Sequence, residues 1–224
     1  MKKQSKRNFI LAAVLMGLFV LLTVSLSYVD VRPIGPQGSS VGYAGINGFV
    51  HDALGVHMGL YTVTDWLGIV PVAVGLGFAV FGLVQLIKRK HFLGVDASIL
   101  LLGAFYLVVL AAYIFFEYRV VNRRPVLIDG YLEASYPSST TMLTVCVMVT
   151  AMMQFRRRIE RAGFRRAVMI LCGLFTAFMV LGRLVSGVHW LTDILGGVLL
   201  SASLIHLYAA VCCRFPDGSG ERKA

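Results

Sequence analysis

The sequence predicts an all-α, polytopic membrane protein, a bundle of six transmembrane helices with an interfacial helix in its first outer loop. Composition is the first observation behind that fold class: 58% of the 224 residues are apolar or aromatic and only 14% are charged, too apolar for an ordinary water-soluble domain. Length is the second. Crossing a hydrocarbon core of about 30 Å takes roughly 20 apolar residues, and runs of that order fall at residues 9–29, 66–87, 95–116, 138–155, 167–186 and 188–213. Lipid offers the backbone no hydrogen-bonding partner, so each run is expected to be helical. Charge placement is the third. Sixteen of the 21 basic residues lie at Lys2 to Arg7, Lys88 to Lys90, Arg156 to Arg166 and Arg214 to Lys223, segments that a six-span chain puts on one side. Lys and Arg accumulate on cytoplasmic loops, so that side and both termini are expected in the cytoplasm. The net charge of +10 thus reports membrane orientation, and no nucleic-acid partner is expected.

Taken in order, the first run follows Lys2, Lys3, Lys6 and Arg7, a pattern shared with secretory signals. It is longer than a typical signal core and no small-x-small cleavage site follows it, so it reads as a span. The outer gap from Asp30 to Asp65 carries Pro33, Gly35, Pro36 and Gly38, then weak helical periodicity from Ile46 to His57, which predicts the helix packed near the headgroups. The run at 138–155 is the shortest. Ser138, Ser139, Thr140, Thr141 and Thr144 crowd its start, the mark of a polar mouth. Residues 1–214 form one membrane domain without internal repeats, and residues 215–224 a polar, disordered cytoplasmic tail. Cys146, Cys172, Cys212 and Cys213 sit in apolar runs without metal-ligand spacing, so neither a disulfide framework nor a metal site is expected. The chain reads as an integral protein of a bacterial plasma membrane.

Five arginines remain outside against the charge rule: Arg32, Arg119, Arg123, Arg124 and Arg183. Cations on the disfavoured side need a use, and anion binding supplies one. Four of the five fall in three outer segments rich in polar residues, Glu117 to Pro125, Tyr136 to Thr141 and Gly182 to Asp193, which points to a shared extracytoplasmic site. His189 and Asp193 are four apart, on one helical face, so the carboxylate can hold one imidazole nitrogen and leave the other as nucleophile. A helix break at Ser186-Gly187 would turn Arg183 back towards the imidazole, and the start of the last span would aim free N–H groups at the same place. Ser138 to Thr141 have a plainer reading as helix-start hydrogen-bonding groups.

These segments resemble the phosphatidic acid phosphatase type 2 superfamily, whose motifs read K-x6-R-P, P-S-G-H and S-R-x5-H-x3-D in that order. The third is present as Gly182-Arg183, five residues, His189, three residues, Asp193, without the serine. The first keeps Arg124-Pro125, with Glu117 in place of the lysine, a cation that Arg119 or Arg123 could supply. The second reads Pro137-Ser138-Ser139-Thr140, with threonine where the family has a general-acid histidine. The resemblance covers roughly Tyr118 to Gly197. It implies a lipid phosphatase in which His189 attacks phosphorus to give a phosphohistidine and Asp193 orients it. It likewise implies that Arg183, Arg124, Ser138, Ser139 and Thr140, with Arg123 and Arg119, surround the phosphate. No cofactor is implied; the partners are a phosphorylated lipid and the bilayer.

Loss of the histidine bears on the substrate. Expelling an alkoxide benefits about 10²- to 10⁴-fold from a general acid, whereas a diphosphate expels a weakly basic phosphate monoester. A polyprenyl diphosphate is therefore favoured over phosphatidic acid, with Glu133, Asp129 or Glu117 as candidates for the missing base. The competing reading is a catalytically weakened relative that binds or moves a phosphorylated lipid without turnover. A pure scaffold leaves the outer arginines unexplained.

Overall fold

The computed structural model describes residues 2–215, so the expected tail at 215–224 lies outside the described residues apart from Phe215. Eight α-helices make up the described chain: α1 (Lys2–Ser25), α2 (Ala44–Leu54), α3 (Met58–Leu67), α4 (Ile69–Arg89), α5 (Ala97–Tyr118), α6 (Ser139–Arg158), α7 (Ala162–Val185) and α8 (Leu191–Arg214). Three isolated antiparallel bridges replace any strand among these residues.

Five helical stretches are long and apolar enough to cross a membrane, Lys3–Ser25, Met58–Arg89, Ala97–Tyr118, Ala162–Val185 and Leu191–Arg214. The expected count was six. The fourth expected run is a helix, α6, but its Thr141, Thr144, Thr150 and Gln154 lower its apolarity; all four are buried. They can be polar because α6 lies at the centre, packed against α4, α5, α7 and α8, while α1, α4 and α5 turn large apolar side chains such as Leu21, Leu76 and Leu107 outward. The second expected run also begins earlier. Helix α3 occupies residues assigned to the outer loop and meets α4 at Gly68, where Pro71 cannot donate back into the preceding turn.

Polar contacts define the two ends of the bundle. At one end Asp96 receives hydrogen bonds from Gln85, Arg89 and Arg158 at 2.9–3.0 Å, Gln154 donates to the Tyr208 hydroxyl at 2.6 Å, and Ser5 donates to the carbonyl of Ala210 at 3.0 Å. The basic segments at Lys2 to Arg7, Lys88 to Lys90 and Arg156 to Arg158 thus share this end. The last turns of α5 and α7 and the first turns of α6 and α8 share the other. There the Tyr136 ring stacks on Phe19 and meets Phe116 edge-on, each with centroids 6.1 Å apart, and its hydroxyl lies 2.7 Å from Thr23 Oγ1. The segment leading into α6 is thereby pinned to α1 and α5.

Candidate active site

Helix α7 ends at Val185, and Gly187 follows with φ +69°. A side chain is excluded there twice over, by the left-handed backbone and because a Cβ would collide with the carbonyl of Gly55. This is the break anticipated at Ser186-Gly187. It folds His189 back over Arg183, so that Arg183 Nη2 lies 3.4 Å from His189 Nε2. A guanidinium can only donate, so Nε2 presents its lone pair and the ring proton resides on Nδ1. Nδ1 faces the carboxylate of Asp193 at 3.6 Å and the Ser135 hydroxyl at 3.4 Å.

Asp193 is fully buried and held by three donors: the Trp190 backbone N–H at 2.8 Å, Asn122 Nδ2 at 3.5 Å and the Ser135 hydroxyl. Ser135 therefore touches both members of the His–Asp pair. Neither Ser135 nor Asn122 was picked out from the sequence. The loop between α5 and α6 brings them in as a short hairpin, with bridges Arg123 to Ala134 and Ile128 to Tyr131 and a tip at Asp129-Gly130 where both φ are positive. That pair is the Asp-Gly turn signal of tight hairpins. Ser135 N donates to Asn122 O at 3.0 Å across the hairpin, and Trp190 Nε1 donates to the carbonyl of Arg123 at 2.7 Å, which ties the hairpin to the start of α8.

The arginines divide into two pairs. Arg183 and Arg124 are buried beside the histidine, and Nε and Nη1 of each are buried without a hydrogen-bond partner. Carboxylates stand near them, Glu133 Oε2 at 3.0 Å from Arg124 Nε and Asp65 Oδ1 at 3.6 Å from Arg183 Nη1, as ion pairs without directed hydrogen bonds. Tyr61 of α3 carries both guanidiniums over its ring, at 4.8 Å for Arg183 and 5.9 Å for Arg124. Arg119 and Arg123 are exposed; Arg123 is spent on the hairpin, donating to Leu132 O at 2.9 Å.

Burial first, and then the charges of Arg124 and Arg183, hold the His189 imidazole well below its usual 6.5, so it is neutral at neutral pH. Ser138 is buried as the N-cap of α6, accepting from Thr141 N at 3.5 Å while its own N–H donates to the carbonyl of Asp193 at 3.0 Å. Ser139 opens α6 and lines a cleft with His189 and Glu117, and Thr140 follows it half-buried. Among the described residues no group of three or more His, Cys, Asp and Glu gathers in a way that could hold a metal ion. The arrangement offers a neutral nucleophilic nitrogen, a carboxylate behind it, and buried cationic N–H groups in front.

Residues 103–214, half of the chain, match the family model described as the PAP2 superfamily. Among solved structures, similarity is found to the first transmembrane PAP2-type phosphatidylglycerolphosphate phosphatase from Bacillus subtilis, with a TM-score of 0.57 and 18% identity over 94% of this chain and 98% of that one. At that identity the likeness is one of fold. Comparison with curated proteins finds no match.

Proposed function

We propose that this chain, which belongs to the PAP2 superfamily, is a membrane phosphatase that removes phosphate from a phosphorylated lipid, with His189 as nucleophile and a polyprenyl diphosphate as the preferred substrate. One observation carries the reading. Buried N–H groups of Arg183 and Arg124 lack hydrogen-bond partners beside the unprotonated Nε2 of His189, and such donors are costly unless an anion takes them.

In the reaction the Nε2 lone pair attacks the terminal phosphorus while the two guanidiniums hold non-bridging oxygens and absorb the charge that develops there. The first turn of α8 adds no free donors at Thr192 and Asp193, whose N–H groups are taken by Asn47 Oδ1 at 3.1 Å and the carbonyl of Trp190 at 3.0 Å, so the phosphate is left to the arginines. The P–O bond to the lipid breaks, and the electron pair leaves on the oxygen of the lipid monophosphate. Attack turns the imidazole into a phosphorylated imidazolium, whose Nδ1–H faces Asp193 and Ser135. Thr140, where the family has its acidic histidine, supplies no proton at neutral pH, which favours the diphosphate leaving group over an alkoxide.

We infer the topology with it. Helix α6 completes a six-span bundle, sheltered from lipid by its neighbours, and α2 lies at the headgroups. The end carrying Lys88 to Lys90 faces the cytoplasm and the site faces out. Cysteines placed at Gln37 and Gly130 should then react with an impermeant maleimide in intact cells, and labelling only at Lys88 to Lys90 would reverse the orientation.

The deciding experiment measures phosphate release by purified protein from farnesyl diphosphate and from phosphatidic acid. Faster release from the diphosphate, abolished in His189→Ala with lipid binding retained, is the expected result. Binding without release by the unsubstituted protein would instead support a carrier or sensor. Full activity in His189→Ala would overturn the mechanism.

A further inference from the structure

Hydrolysis of a phosphohistidine needs a group to take a proton from the attacking water, and the residues described so far leave that role unfilled. Asp193 is buried under three donors. Glu133 and Asp65 stand on the two phosphate-site arginines. Asp129 forms the hairpin tip with a positive φ. Thr140 has no basic group.

We propose that Glu117 is the general base of the dephosphorylation step. It lies in the last turn of α5 and lines, with Tyr113, Phe116, Ser135 and Ser139, the cleft that reaches His189. It is the acidic residue in that lining. The cleft has room for a water molecule beside His189. The carboxylate is itself exposed, so a proton it takes up can pass to bulk solvent, which a buried base could not arrange without a relay. Two departures from the family pattern then have one account: the lysine of the first motif is replaced by a carboxylate in a chain whose second motif lacks its histidine.

The step balances as follows. The water oxygen attacks phosphorus, one water proton moves to a carboxylate oxygen of Glu117, and the P–Nε2 bond breaks with its electron pair returning to Nε2. Inorganic phosphate departs, and Glu117 releases the proton to solvent. The first step, attack by Nε2 on the lipid diphosphate, does not involve Glu117. This assignment rests on His189 being the nucleophile, so its test must separate the two steps.

Rapid mixing with farnesyl diphosphate radiolabelled in its terminal phosphate, followed by alkaline quench, reports the acid-labile phosphohistidine. In Glu117→Gln the burst should form at the rate of the unsubstituted protein, while steady-state release falls by ~10²-fold and label accumulates on the protein. Glu117→Asp should retain part of the turnover. Unchanged release in Glu117→Gln, or a slowed burst without accumulation, would overturn the assignment. A different outcome, no labelled protein at all and full release by His189→Ala, would sink the nucleophile itself.

Discussion

The aromatic ring of Tyr61 lies against the guanidinium of Arg183, 4.8 Å from centroid to Cζ, and Asp65 one turn later on the same helix stands 3.6 Å from that guanidinium. Helix α3 lies outside the region matched by the family model, yet it sets where both arginines point. Tyr61→Leu removes the ring that Arg183 and Arg124 share, and each such contact is worth about 0.5–2 kcal/mol. With one such contact felt in binding, the expected effect is a rise in KM of roughly 2- to 30-fold with a smaller change in kcat. Tyr61→Phe should stay near the unsubstituted value. Steady-state kinetics on both variants checks this.

The approach of α3 depends on Gly182. A Cβ there would come within 2.8 Å of Thr64 Cγ2, and Thr64 is fully buried. Gly182→Ser, which restores the serine of the family motif, should therefore press α3 outward and destabilise the protein by about 1–3 kcal/mol. Thr64→Ser deletes the obstructing methyl and keeps the hydroxyl that donates to the carbonyls of Leu60 and Tyr61. The double variant should recover most of the loss in thermal melting in detergent. Equal melting temperatures for the single and double variants would show that the contact is not the cause.

Ser135→Ala takes a donor from Asp193 and a neighbour from His189 Nδ1. Leaving a buried acceptor short of a partner costs about 1–3 kcal/mol, which corresponds to roughly a 5- to 150-fold loss of kcat if it is felt in the transition state. Asp193→Asn should lose more, because the imidazolium loses its partner charge. Phosphate release at saturating substrate is the measurement, and an Asp193→Asn variant as fast as Ser135→Ala would count against the carboxylate's role.

The depressed His189 value makes a prediction for pH. The folded group titrates well below the unfolded 6.5, so between those two points the unfolded chain binds a proton that the folded chain does not. Stability is therefore complete above the unfolded value and is lost as pH falls through it, with a slope of up to about 1.4 kcal/mol per pH unit. Thermal inactivation in detergent should accelerate as pH falls below about 6.5, and His189→Gln should flatten that dependence. Arg124→Gln removes one depressing charge and should move the onset of imidazole protonation towards neutrality.

How far the sequence was legible follows from the range of each interaction. His189, Asp193 and Arg183 belong to one helix–turn–helix segment, so the Ser186-Gly187 break and short separation bring them together, although His189 precedes α8 and meets Asp193 from the turn, not as the expected neighbour on one helical face. Ser135 and Asn122 meet through a hairpin whose local signal is the Asp129-Gly130 turn, where both φ are positive. Tyr61 and Asp65 were hidden because hydropathy assigned their stretch to a loop, while in the structure Met58–Leu67 is helix packed on α7. Among the described residues, the basic segments at Lys88 to Lys90 and Arg156 to Arg158 lie at one end of the bundle, as charge counting predicts; Arg222 and Lys223 lie outside the described residues. Hydropathy supported α6 only weakly, because its buried threonines and glutamine are matched by protein neighbours that a window along the chain does not register.

That mismatch bears on how the chain is made. A segment carrying Thr141, Thr144, Thr150, Gln154 and three terminal arginines gains little by partitioning into lipid alone, whereas α7, joined to it through only Ile159 to Arg161, is apolar enough to cross. Helix α6 should therefore be retained beside the insertion machinery during synthesis and enter together with α7 as a hairpin. Polar substitutions in α7 would then cause two helices to fail insertion rather than one.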